Sequence, residues 1–212
     1  GYPARARGGA RAVVAGGLPA PPRVPPGPAA PGGGALLFAR RTVASVAMVS
    51  TFANRAPRKG SVIGLAGAGA DLFAGDRCVV DVSGSVWWGE GAPIAAAASR
   101  LVHVNYSVAR GGWRCYGVGN VASNQLLAAP WGRDGVVGTA DDDLRLRPAS
   151  PAIDAGDNGA GPDRADARDA AGAPRFSDDR GSRDAGRSLG REIVIDMGAY
   201  EFAGVSRPQP CF

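Results

Sequence analysis

Four carboxylates crowd ten residues of this chain: Asp134, Asp141, Asp142 and Asp143, with Gly135 and Gly138 between them. Flexible, oxygen-rich loops of this kind suit calcium, which makes the four a candidate metal site. They do not follow EF-hand spacing, and no glutamate closes the loop at the required offset. A solvated acidic turn balanced by Arg133, Arg145 and Arg147 is the plainer alternative. Trp87, Trp88 and Trp113 are the candidate carbohydrate-binding residues, since indole faces stack on sugar rings; Trp131 belongs to the same class, and packing in the interior is the competing role. His103 is the only histidine, beside Asn105, and Asp81 and Arg100 precede it. Those three are too sparse to assign a catalytic group, and no GxSxG elbow accompanies the histidine. Asp154, Asp157 and Asp196 sit beside small residues or glycine, where a carboxylate accepts backbone N–H bonds in turns. Use of two of them as an acid/base pair is the second reading.

Cysteine chemistry adds little. Cys78, Cys115 and Cys211 contain no CxxC, so a zinc site is not expected. They read first as small buried hydrophobes, with a Cys78–Cys115 bridge as the alternative.

These residues need strands to hold them. With 33 Gly, 17 Pro and few aromatics in 212 residues, the composition favours a loop-rich, mostly β protein. Thr42–Phe52 places Val46, Met48 and Phe52 on one face at period two. Cys78–Trp88 does the same with Val80, Val82 and Val86, against Asp81, Ser83 and Ser85. Arg100–Val108 alternates most cleanly, with Val102, Val104, Tyr106 and Val108 on one side. Leu144–Arg147 predicts a short strand with leucines inward and arginines outward. STFANRAP from Ser50 aligns with SVWWGEGAP from Ser85, and SVARGG from Ser107 begins a third copy. Intervals of 35 and 22 residues lie in the range of stacked repeats. A β-sandwich would also alternate, but the repeat favours a solenoid with inward apolar side chains and tight Gly- or Asn-bearing corners.

Residues 1–34 differ in kind. Nine Gly and eight Pro leave too little apolar surface to offset ordering entropy, so a disordered arm is expected there. PAPPRVPPGPAAP (19–31) is a possible polyproline II ligand. The first 70 residues carry nine basic side chains and no acid. Nucleic acid is nevertheless an unfavoured partner, because only Tyr2 and Phe38 are there to stack and no nucleic-acid module follows. No apolar run approaches the roughly 18 residues of a membrane span. The chain opens at Gly1 without an initiator methionine or a readable signal peptide, and reads as a piece of a longer protein.

SPAIDAGDN (150–158), DAAGAPRFSDD (169–179) and VIDMGAYEF (194–202), in that order, resemble the closing segment of right-handed parallel β-helix, pectin-lyase-like proteins. These include the bacterial surface proteins described as choice-of-anchor. The strand copies extend the resemblance to about residues 42–202. Ser83–Gly84 and Ala173 stand where such proteins usually carry asparagine, and AGVSRPQPCF after Phe202 holds no hydrophobic anchor. The resemblance implies an all-β fold: a right-handed parallel β-helix fragment over 35–130, an irregular C-terminal cap over 131–202 and a tail over 203–212. Ile153, Ile193, Ile195, Met197 and Tyr200 would cover the apolar end of the last coil. It implies an extracellular or cell-surface location, upstream coils of the same protein as partners, and polysaccharide or cell envelope as a further partner. The function expected first is a structural or binding end module. The alternative is a polysaccharide lyase or glycoside hydrolase whose groove lies mostly upstream.

Overall fold

The computed structural model describes residues 36–38, 43–52, 72–74, 79–88, 94–96, 101–123, 127–136, 139–161 and 166–204. Within them the protein is all-β, and none of them lies in an α-helix. The arm, Cys78, Cys211, Arg100 and the tail beyond Gly204 lie outside the described residues.

Nine short strands fall into three rows of three. β1 (Leu36–Phe38), β2 (Val43–Ala47) and β3 (Ser50–Phe52) form the first row. β4 (Leu72–Ala74), β5 (Val79–Ser83) and β6 (Val86–Trp88) form the second. β7 (Ile94–Ala96), β8 (Val102–Asn105) and β9 (Val108–Ala109) form the third. Each row gives one strand to each of three parallel sheets, ordered β1-β4-β7, β2-β5-β8 and β3-β6-β9. β10 (Leu127–Ala129) and β11 (Asp143–Leu146) make a separate antiparallel pair, with Leu144 and Leu146 buried and Arg145 exposed as the alternation predicts.

Each long alternating stretch is two strands, not one. The break comes at Met48, Gly84 and Tyr106, with φ of 55°, 55° and 45°. A left-handed residue there turns the chain, so period two does not run through the bend. Val46, Val80, Val82, Val102 and Val104 enter one core cluster. Phe52, Val86 and Val108, past the bend, enter another. The register lengthens the first repeat interval by one residue, pairing Ser50 with Val86, and keeps the second, pairing Val86 with Val108.

The bend opens the backbone ladder, and side-chain oxygens close it. Val49 N–H donates to Ser85 Oγ (3.2 Å), Ser85 N–H to Ser107 Oγ (3.2 Å) and Ser107 N–H to Asn120 Oδ1 (3.1 Å). Ser85→Ala leaves the buried Val49 amide without that acceptor, at an expected cost of about 1–3 kcal/mol. Urea denaturation measures this. The same change at exposed Ser45 should move stability by no more than about 0.5 kcal/mol.

The C-terminal segment lies along the side of the rows, which corrects its expected place over their last end. Ala199 N–H donates to Ser50 Oγ (2.9 Å) in the first row, and Gly198 N–H to Gly84 O (2.8 Å) in the second. Gly198 is required there: its φ is +100°, and a Cβ would stand 2.6 Å from Ser50 Oγ. Ile153, Ala155 and Met197 pack with Phe52, Val86 and Val108. The sheet β3-β6-β9 is therefore buried on both faces. The edge of the third row is met instead by residues 116–121. Val104 N–H bonds Tyr116 O (3.0 Å), Tyr106 N–H bonds Val118 O (2.8 Å), and Val108 bridges Val121 in parallel.

Candidate functional site

Three groups of residues carry chemistry. The first is a line across the sheet β2-β5-β8, where Ser45, Asp81 and His103 stand in register. His103 Nδ1 lies 3.0 Å from Asp81 Oδ1, with side chains 44% and 55% exposed. An ionised carboxylate selects the tautomer with hydrogen on Nδ1. Tyr116 meets the imidazole edge-on, 6.1 Å between centroids. The order is serine, acid, histidine, with strands about 4.8 Å apart. A nucleophilic triad needs the histidine in the middle, so this line cannot activate Ser45.

The second group is aromatic. Trp87 is 0% exposed and lies in the core with Val80, Val82 and Val102, so no sugar reaches it. This removes it as a carbohydrate-binding residue: its place in β6 turns its indole inward, away from the face that Trp88 shares with the second cluster. Trp88 is half-buried beneath the Arg110 guanidinium, 5.9 Å from the ring centroid. Trp113 is half-buried against the first cluster, its Nε1–H donating to Tyr116 O (3.0 Å). Trp131 is the better exposed, at 50%, and sets its ring edge-to-face with Phe52.

The third group is the carboxylates, and the structure redistributes them. Asp141 accepts N–H bonds from Arg133 and Asp134 and a 2.6 Å bond from the Thr139 hydroxyl. Those bonds, the Thr139 one foremost, hold its carboxyl below the usual range. Asp134 accepts the Val136 N–H (2.8 Å). Asp143 is gripped by the Arg145 fork at 2.6–3.1 Å, which lowers its pKa and raises that of the arginine. Asp142 follows Asp141 at the mouth of a shallow groove walled by Ala170, Ala171 and Tyr200. The four form a hydrogen-bonded turn, and no three of them bring ligand oxygens together. Among the described residues the carboxylates that do converge are Asp154, Asp178 and Asp184, within 4.8 Å of one another. The candidate calcium site thus moves away from Asp134, Asp141, Asp142 and Asp143.

In the C-terminal segment two of the three aspartates expected in turns, Asp157 and Asp196, accept backbone amides, and Asp154 does not. Asp196 takes the N–H of Asp154 (2.8 Å) and of Phe202. Asp157 takes that of Gly159 (2.8 Å) and both ends of the Arg187 fork (2.6 Å each). Asn158 donates to Ser188 O and Ile193 O and accepts from Ile195 N–H. Asp154, Asp157 and Asp196 are all buried, and Asp157 and Asp196 are engaged by these donors. Sequence reasoning missed the buried Arg175–Glu201 ion pair, 3.0 Å from Nε to Oε1. It also missed Asp178 and Asp184, which the chain separates from Asp154 by more than twenty residues.

Burial pushes Asp154 up to about 7, helped by the charges of Asp196, Asp178 and Asp184. The nearby Asp179 amide pulls the other way without reaching hydrogen-bond geometry. Burial raises Asp196 to about 6, opposed by its two amide donors and Arg175 and assisted by Asp179. Both folded pKa values exceed the ordinary 3.8. Stability from these groups is therefore complete below about 4 and is lost as pH rises through 6 and 7. Urea midpoints taken in chelator should be higher at pH 5 than at pH 8.

No family model matches this chain, and no curated protein or solved structure matches it significantly.

Proposed function

We propose that this chain is the closing portion of a right-handed parallel β-helix protein of the exported, cell-surface kind. Its role is structural and binding: to finish the solenoid and present an extended lateral surface to polysaccharide or cell envelope. The observation that carries this reading is the threefold repetition of strand, left-handed bend and strand. It recurs at Met48, Gly84 and Tyr106, with each of the three three-stranded sheets adding its strands in parallel and in the same order. β1, β2 and β3 stand at the same edge of their three sheets, where upstream coils of the same protein would pair. No described helix is long and apolar enough to cross a membrane. For glycan contact the half-buried Trp88 and Trp113 and the exposed Tyr116 and Trp131 remain.

The alternative, a polysaccharide lyase or glycoside hydrolase, draws on the Asp81–His103 pair. In register with that pair the described strands offer Ser45 rather than a second acid, whereas such hydrolases use two carboxylates. Incubation with pectin-like and other acidic polysaccharides, with and without calcium, separates the readings. Retarded migration in polysaccharide-loaded native gels without unsaturated or shortened product is expected. Turnover of any of these substrates overturns the binding role.

A further inference from the structure

We propose that Asp154, Asp178 and Asp184 form a divalent-cation site, suited to calcium, that ties the 150–158 turn to the 178–186 segment. Ligand oxygens of the three lie within 4.8 Å of one another. Two oxygens on opposite sides of a calcium ion stand roughly 4.6–5.2 Å apart, given Ca–O distances of about 2.3–2.6 Å. The span is therefore that of one shared ion.

The second observation is Asp154 itself. Its side chain is fully enclosed, and neither carboxylate oxygen has a hydrogen-bond partner. Buried carboxylates ordinarily collect amide or cationic donors, as do Asp157, three residues on, and Asp196, which takes the Asp154 N–H. Asp154 instead points its bare oxygens toward two more carboxylates. Like charges gathered around an enclosed carboxylate repel, and the arrangement makes physical sense with a cation between them. Arg180 does not supply it: its Nε stands 4.0 Å from Asp178 Oδ2 at the rim, on a side chain 96% exposed.

The backbone holds the geometry. Ala185 and Gly186 N–H both donate to the Asp154 carbonyl, at 2.8 and 3.1 Å, which sets Asp184 beside the turn. Asp154 itself adopts a left-handed conformation, with φ of 50°. Asp178 and Asp184 are exposed, so water can complete the shell and an ion can enter from that side. An all-carboxylate set suits hard cations such as calcium better than zinc, which favours nitrogen and sulfur ligands. A site built on one enclosed and two exposed carboxylates lacks the strict octahedron that magnesium demands, and calcium tolerates irregular shells.

The site is independent of the proposed function, and its test reads binding directly. The full chain, stripped with chelator, is titrated with calcium chloride by calorimetry. Its thermal unfolding is compared in calcium and in chelator. One-site binding is expected, with a rise in Tm of roughly 3 °C or more at saturation. Asp184→Asn and Asp178→Asn, both at exposed positions, should each weaken calcium by about tenfold or more while folding normally. Asp134→Asn, in the other acidic loop, should leave the affinity unchanged. Magnesium should bind more weakly than calcium. Absence of calcium heat and of a Tm shift overturns the site. So does an affinity that survives both Asp178→Asn and Asp184→Asn, or one that is lost in Asp134→Asn.

Discussion

Glu201→Ala is expected to destabilise the protein by about 3–5 kcal/mol, because it leaves the Arg175 cation buried and uncompensated. The two side chains are only 2% and 1% exposed. The Arg175 Nη2 donates to Asp196 O (3.0 Å) and Gly198 O (2.8 Å), and Glu201 receives the Asp196 N–H. Nε sits 3.0 Å from Oε1 as a charge contact rather than an aligned hydrogen bond. Burial, with Asp196 close by, pushes Glu201 up to about 9 against the pull of Arg175. The ion pair prevails, since a protonated Glu201 would strand a guanidinium that cannot itself lose its proton. Replacing both partners by apolar residues of similar volume should recover most of the loss. Urea denaturation of the two variants decides it, and a Glu201→Ala cost below about 1 kcal/mol would show that the pair is not what holds residues 175 and 196–201 together.

Trp87→Ala should cost about 3–5 kcal/mol, the usual range for emptying a fully buried aromatic site. Trp87→Phe should cost much less, about 1.5 kcal/mol or under. The reason is specific: the Trp87 Nε1–H is buried with no acceptor, so phenylalanine loses volume but also removes an unsatisfied donor. If Trp87→Phe proves as damaging as Trp87→Ala, indole shape outweighs the orphaned donor. Glycan affinity of the folded Phe variant should match the parent, since Trp87 is out of reach of any ligand.

The strands were legible because valine alternation is a strong signal, and Val80, Val82, Val102 and Val104 are all buried as it requires. The bends were not legible at two of three positions. Gly84 announces a left-handed residue, but Met48 and Tyr106 hold the same conformation without the usual residue type. Reading through them put Phe52 and Val108 on the wrong wall. The Ser85–Ser107–Asn120 ladder was hidden for a related reason, as a serine hydroxyl carries no local mark of this role. Nothing local marks Arg175 and Glu201 as partners. Asp154 looked like its neighbour Asp157, and only the fold shows that one has donors and the other has none.

The serine ladder also fixes what evolution or an engineer is free to alter. Successive rows are 36 and then 22 residues apart along the chain, yet they land in the same register. Alignment is set by pegs at the bend, not by the length of the excursion between pegs. The stretches of chain between rows can therefore be lengthened, shortened or exchanged like cargo on a rail, and the scaffold should keep its order so long as each peg remains.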